Sequence, residues 1–441
     1  MIQLSDHFEY KRLLQFAFPS VIMMVFTSIY GVVDGFFVSN FVGKTPFAAV
    51  NFIMPVLMIL GSIGFMFGSG GSALVSKTMG EGKQESARQL FSLFVYSTMV
   101  CGAVLAIVSF FILRPLAVLI GAEGEMLEQC VLYGQILLLA LPFYMLQFEF
   151  QSFFVAAEKP QWGLAVTVAC GLTNMVLDAL FIAVFSWGLV GAAAATVMSQ
   201  MIGGVIPVVY FSRPRTSVLW LTKTELNWKA LRKACINGSS ELMSNISISV
   251  VSMLYNFQLL KYAGENGVAA YGVLMYVNMI FLAVFIGYST GTAPIVSYHY
   301  GAGNHGELRG LLQKSSVIIG IFAVMMFMLA EGCAGPLAEI FVSYDVELLA
   351  MTKRAFMIYS FSFLFSGIAI YGSSFFTALN DGVTSALISF LRSLVFEVAA
   401  ILILPLIFKL DGIWLSVVVA ELTAAIMTIL FLAAKRNVYH Y

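Results

Sequence analysis

Residues 69–90 read SGGSALVSKTMGEGKQESARQL, and residues 290–311 read TGTAPIVSYHYGAGNHGELRGL. At a spacing of 221 positions the two share Gly70 with Gly291, Val75 with Val296, Ser76 with Ser297, Gly80 with Gly301, Gly82 with Gly303, Arg88 with Arg309 and Leu90 with Leu311. Carried back without gaps to Gly43 and Gly264, the match gains those two glycines and Ala48, Ala49, Met54, Val56, Met58 and Ile59 with their counterparts. Fourteen identities in 48 pairs is several times what this composition yields by accident, so one half of the chain repeats the other.

The repeat lies in a chain built for lipid. Of 441 residues, 60% are hydrophobic and 10% charged, and the mean hydropathy is +0.93. A soluble domain carries roughly 25% charged residues because its surface must be solvated. Apolar runs at 13–41, 47–76, 90–113, 128–155, 162–185, 188–211, 233–262, 267–297, 311–332, 350–378, 384–408 and 411–434 are each long enough to cross a hydrocarbon core of roughly 30 Å. The fold class expected is an all-α membrane protein of twelve spans; the alternating ten-residue segments of a membrane β-barrel are missing. Pro19, Pro55, Pro142, Pro207, Pro294 and Pro405 fall inside these runs and require kinks. With 23 basic and 23 acidic residues there is no charge to attract nucleic acid. Cys101, Cys130, Cys170, Cys235 and Cys333 lack any metal or disulfide spacing. The charged start, running into a long apolar stretch without a small-residue cleavage site, reads as no cleavable signal.

An even number of spans puts both termini on one side. That side carries sixteen lysines and arginines, including Arg215, against six on the other, Lys44 among them, so both termini are expected in the cytoplasm of a cell inner (plasma) membrane protein. The basic segment 212–232, with Trp220 and Trp228, reads as a partly helical linker on the inner face. It separates an N-terminal lobe, 1–211, from a C-terminal lobe, 233–441. The repeats begin six spans apart and are therefore parallel. Two pseudo-symmetric six-helix lobes enclose a central cleft suited to alternating access by rocking, and a monomer suffices.

Several runs are recognisable: Phe18-Pro19 through Tyr30-Gly31-Val32-Val33-Asp34-Gly35-Phe36-Phe37-Val38; Asn174-Met175-Val176-Leu177-Asp178; Gly188-Leu189-Val190-Gly191-Ala192-Ala193-Ala194-Ala195-Thr196 with Ser199-Gln200; Arg392; Leu410-Asp411-Gly412-Ile413-Trp414; and Ala420-Glu421-Leu422. In these the chain resembles the MATE (multidrug and toxic compound extrusion) family over nearly its whole length. It is most similar to the bacterial branch with an aspartate pair in the N-terminal lobe. The resemblance implies export of amphipathic, often cationic small molecules against influx of H+ or Na+. A flippase or exporter for a dedicated lipid-linked or metabolite substrate, on the same fold, is the alternative; it should show a strongly basic cleft, and Arg392 alone is basic among mid-helix residues.

Ionisable residues inside the spans are functional candidates, since each costs about 2.5–3.5 kcal/mol to insert. Asp34, Asp178 and Thr196 all fall roughly 10–12 Å below the outer surface, at 1.5 Å per residue. Asn174 is one turn from Asp178 on the same face. This all-oxygen set suits a Na+ or a shared proton; the alternative is that the aspartates only bond polar neighbours to fix packing. The resemblance assigns these four residues to the coupling site and makes Pro19 the hinge of helix one. Beyond a Na+ at Asp34 and Asp178 no metal is expected, and no cofactor.

Glu241 and Arg392 lie about 12 Å from the inner ends of helices seven and eleven, a depth that allows a buried ion pair or a C-lobe substrate or ion contact. Glu149 on helix four is a candidate gate or ligand, whereas Glu397 and Glu421 read as structural. Met54, Met58, Tyr255, Met275, Tyr276, Asn278 and Met279 put polarizable, aromatic and amide groups on the helices expected to line the cleft, a surface that repacks around dissimilar flat cations. The same stripe also fits plain lobe core. The glycine-rich stretch 68–72 lacks a phosphate-loop lysine, so ATP is not expected to drive transport, and nothing marks an enzyme.

Overall fold

The computed structural model describes residues 2–119, 121–214, 217–342 and 345–441. Arg215 and Thr216 of the linker lie outside the described residues, as does the side chain of Lys44. The described residues are almost entirely helical. The first half comprises α1 (Tyr10–Phe37), α2 (Lys44–Gly80), α3 (Gln84–Leu119), α4 (Gly124–Leu139 and Leu141–Ala156), α5 (Pro160–Val184) and α6 (Gly188–Phe211).

The second half opens with a helical run, Trp228–Gly301, of 74 residues. Straight, it would reach about 110 Å at 1.5 Å per residue, several bilayer cores. It turns back at Gly264, whose φ of 62° and ψ of −150° break the helix. Consequently Tyr255 and Tyr271 stack with ring centroids 5.1 Å apart. The run is therefore two spans, α7 (228–263) and α8 (265–301). The run from Gly382 to Tyr439 likewise reverses at Lys409, with φ 52°, into α11 (382–408) and α12 (410–439). Between them lie α9 (His305–Val342) and α10 (Val346–Ala378). Among the described residues, nine long apolar helices, two of them hairpins, together with the bent α4, make the twelve expected spans.

One sequence expectation changes in detail. Pro142 does not kink a continuous helix: α4 breaks at Ala140 with a 59° bend, and Pro142 takes the start of the second segment, where its missing N–H is no loss. The linker is partly helical, as expected: residues 228–232 belong to the first turns of α7, and residues 217–227 are not helical. They are strapped to the start of α3 by Thr222 N–H donating to Ser92 Oγ (2.8 Å), Arg88 Nε–H to the Val218 carbonyl (3.2 Å), and the Arg88 guanidinium over the Trp220 ring.

The two-fold reading holds in three dimensions. Pro115-Leu116-Ala117 in α3 and Pro336-Leu337-Ala338 in α9 continue the 221-residue spacing beyond the stretch that first revealed it. Among the helices, the two halves meet chiefly through α1 and α2 against the α7–α8 hairpin. Their closest approaches use glycines: a Cβ on Gly70 would lie 2.0 Å from Ala234 O, one on Gly238 2.0 Å from Met66 O, and one on Gly287 2.7 Å from Ser20 O. Every one of these residues lies in the half of its helix nearer the termini. Nearer mid-membrane, Met23, Met24, Phe65 and Ala283 pack together, and Ser28 Oγ reaches Met279 O at 3.4 Å. This is the floor of a cleft whose seam is shut on the face bearing the termini.

Candidate functional site

The N-terminal half brings two carboxyl groups together. Gly171 lets α1 press against α5, since a Cβ there would sit 2.4 Å from the Phe26 ring and 2.9 Å from that of Tyr30. Asp34 is one turn beyond Tyr30 on α1, and Asp178 two turns beyond Gly171 on α5. Their carboxyl groups face each other within hydrogen-bonding range. Asp178 is fully buried and Asn174, one turn below it, is 2% exposed. Among the described residues, no N–H or O–H of another residue reaches either Asp178 oxygen or Asp34 Oδ1. A buried acceptor without a donor costs about 1–3 kcal/mol, and more when charged, so bonds from neighbouring amides or hydroxyls do not account for this pair.

Thr196 stands on α6 beside this pair with its hydroxyl donating to Ala192 O (3.1 Å). Tyr133 completes the wall: it is 1% exposed and faces Thr196 and both aspartates. Sequence reasoning missed Tyr133, because an isolated tyrosine in an apolar run gives no sign of which way it points. The helix departs from α geometry right at the site. One wide π turn, Val38–Val42, follows α1, and a second, Ala179–Val184, starts immediately after Asp178. Such turns are frequent at functional sites. Pro19, buried beside Ser20 at the seam, sits in an α1 that stays helical throughout.

The C-terminal half corrects an expectation. Arg392 does not pair with Glu241. It makes a bidentate bond to Glu421 of α12, Nη2 to Oε1 at 2.7 Å and Nε to Oε2 at 2.9 Å. Depth along a helix places Glu241 and Arg392 at one level, but it does not give the direction each faces. A third π turn, Leu391–Phe396, carries Arg392 toward α12. Glu397 faces this pair, with Tyr255, Tyr271 and Tyr359 around it. Glu241 is half-buried, three residues beyond Gly238 and so on the same side of α7 that meets Met66 at the seam.

Glu149, a candidate gate or ligand on α4, is fully buried inside the N-terminal half, with Gly68 of α2 against its backbone and Thr98 of α3 facing its side chain. No cleft or seam residue is among these neighbours. Of the proposed cleft residues, Tyr255 belongs to the C-half core, 1% exposed and stacked on Tyr271. Met58, Tyr276 and Met279 are exposed, while Met54, Met275 and Asn278 are half-buried. Met54 with Met275 and Met58 with Met279 are two-fold mates, 221 positions apart.

A bundle of twelve spans in two related halves, with a buried carboxyl pair and a cleft shut on one face, is the architecture of a membrane transporter and not of an enzyme. The MatE family model matches the chain twice, over residues 19–180 and 242–403. The chain belongs to the MatE family. It is 24% identical over 430 residues to the multidrug export protein MepA of Staphylococcus haemolyticus (strain JCSC1435), covering 97% of this chain and 94% of that one. The MepA of Staphylococcus aureus (strain MSSA476) is 22% identical over 429 residues, with the same coverage. Among solved structures, a MATE protein crystallised in complex with MaL6 superposes with a TM-score of 0.93 at 21% identity, covering 98% of each chain. The outward-facing conformation of a multidrug resistance MATE family transporter of the MOP superfamily gives 0.93 and 21% as well, covering 98% of this chain and 97% of that one.

Proposed function

We propose that this chain is a secondary active multidrug efflux transporter that exports amphipathic, cationic organic compounds in antiport with H+ or Na+. The observation that carries the reading is the Asp34–Asp178 pair, in which Asp34 Oδ1 and both Asp178 oxygens are buried without a donor. In the outward-open state a proton or Na+ loads there, with Asn174 and Thr196 adding neutral oxygens. Loading removes the repulsion between the two carboxylates, which lets α1 and α5 repack and weakens the hold on substrate in the cleft. The lobes then rock inward, release the ion and reload. One charge moving inward across 100 mV contributes about 2.3 kcal/mol.

In this reading the lobes are 1–211 and 233–441, joined by 212–232, and the termini are cytoplasmic, so the seam is shut toward the cytoplasm as in the outward-facing relative. The transporter works as a monomer in the plasma membrane without ATP. Glu241 at the seam is the acidic group placed to meet a cationic substrate. A flippase for lipid-linked sugars finds no support: Arg392, which would have to meet a phosphate, is neutralised by Glu421.

The test is movement of a fluorescent organic cation into or out of proteoliposomes under an imposed pH gradient and, separately, a sodium gradient. One gradient should drive movement, and Asp178→Asn should abolish it while the protein stays folded. Failure of both gradients with several dyes, in folded wild-type protein, rejects multidrug antiport.

A further inference from the structure

A cavity of about 380 Å³ opens on the terminal face of the C-terminal half, away from the aspartate pair and the cleft. Lys229, Arg232 and Lys233 from the first turns of α7 wall it, with Asn237 one turn further in, Asp381 from the turn between α10 and α11, and Tyr439 from the end of α12. Its charge is unbalanced. Asp381 is already engaged by Lys435 Nζ (3.2 Å) and by the Thr384 hydroxyl (2.7 Å). Among the described residues, none of the three basic groups has an acidic side chain within ion-pair distance. A ligand for this cavity must be an anion.

Two further features narrow its chemistry. Asn237 is 1% exposed and donates from Nδ2 to Thr377 O (2.9 Å), which fixes the amide and leaves Oδ1, without a partner, on a residue lining the cavity. A hydroxyl or N–H donor on the ligand would complete this acceptor. Leu226, Trp228 and Val383, all exposed, stand at the start of α7 and of α11 beside the basic residues. This is the depth of the bilayer interface, where tryptophan settles and basic pockets between helices take lipid head groups.

We propose that the cavity binds the head group of an anionic glycerophospholipid, with the phosphodiester on Lys229, Arg232 and Lys233 and a head-group hydroxyl donating to Asn237 Oδ1. Phosphatidylglycerol has this chemistry. Occupancy also acts on the seam. Lys77, at the end of α2 in the other half, faces Lys233 across it. A phosphate there screens that repulsion, so bound lipid favours the state in which this face is closed.

The test uses the purified full chain in detergent, read by native mass spectrometry and thermal melting with phosphatidylglycerol, phosphatidylcholine, phosphatidylmethanol and inorganic phosphate as probes. Phosphatidylglycerol should be retained and should raise the melting temperature, and phosphatidylcholine should not. Lys229→Gln/Arg232→Gln/Lys233→Gln, all exposed and away from the proposed coupling site, should weaken retention at least tenfold. Lys11→Gln/Lys83→Gln/Lys223→Gln removes the same charge from the same face and should leave retention unchanged. Equal loss in both variants would mean diffuse attraction and overturn the site, as would retention of phosphatidylcholine as strong as that of phosphatidylglycerol. Displacement of phosphatidylglycerol by millimolar inorganic phosphate would assign the cavity to the free anion instead. Phosphatidylmethanol, which keeps the phosphodiester but lacks the hydroxyl, should bind more weakly; equal binding would overturn the role of Asn237.

Discussion

Gly80 and Gly301, 221 positions apart, make the same contact in opposite directions: a Cβ on Gly80 would lie 2.0 Å from Tyr298 O, and one on Gly301 2.0 Å from Lys77 O. Lys77 and Tyr298 are themselves 221 apart, so the seam between the halves is a true two-fold contact built on backbone. Two backbones that close leave no flexible side chain to give way.

Gly80→Ala and Gly301→Ala should therefore push the halves apart on this face without harming either half. Spin labels placed on the terminal ends of α2 and α8 should report a longer mean distance in each variant. The double variant should shift further than either single one. Unchanged distances would mean the seam bends elsewhere to absorb the methyl group.

The ion pair of Arg392 with Glu421 has both side chains largely covered, at 17% and 7% exposure. Removing one partner of a buried pair costs about 3–5 kcal/mol because the other charge is stranded, whereas replacing both with apolar residues is often neutral. Arg392→Met should lower the thermal stability of detergent-solubilised protein strongly. Arg392→Met with Glu421→Leu should recover most of the loss, and this rescue separates a structural pair from a transport residue.

Asp381 caps α11, accepting from Thr384 N–H at 3.2 Å. Burial raises its carboxyl, but bonds from Thr384, Tyr439 and Lys435 outweigh burial and hold it below the ordinary aspartate range. A depressed folded-state value means the stabilisation is complete above the unfolded aspartate pKa, about 3.9, and is lost as pH falls through the folded one. Asp381→Ala should lower the melting temperature at pH 7 by an amount corresponding to roughly 0.5–2 kcal/mol. The gap between variant and wild type should start to narrow as pH falls below about 4 and close once pH is below the depressed folded value. A gap that persists there would assign the effect to packing rather than charge.

Periodicity encodes depth and span number, and these are the parts of the molecule that the sequence makes legible. The spans and the repeat are readable because lipid demands about 20 apolar residues per crossing and because Gly70, Gly80, Gly291 and Gly301 stand where backbones must touch. Asp34 and Asp178 come out at one depth, since rise per residue is fixed. Azimuth is not readable. That is why depth alone allows Arg392 to meet Glu241 where the structure pairs it with Glu421, and leaves Tyr255 open between cleft and core. Each π turn also rotates the helix beyond it, and nothing in the sequence of Leu391–Phe396 announces one.

The segment before α1 ties the two halves together on the closed face. Leu4 and Phe8 are fully buried. Leu4 N–H donates to Glu158 Oε1 (2.8 Å) in the turn between α4 and α5 of its own half. Phe8 N–H donates to Glu307 Oε1 (2.9 Å) at the start of α9 in the other half, where His7 Nδ1 also meets Glu307 Oε2 at 2.6 Å. Lys314 Nζ closes the clasp on the Phe8 carbonyl. Hydrogen bonds to charged groups contribute about 1.5–3 kcal/mol each, so losing the two on Glu307 is enough to shift a two-state balance by roughly two to four orders of magnitude. Glu307→Gln should weaken the clasp partly, and Phe8→Ala with Glu307→Ala should release it. The expected readout is faster labelling of a cysteine introduced at Ala234, which the closed seam buries. If that cysteine stays protected in both variants, the segment is passive packing and the glycine seam alone holds the face shut.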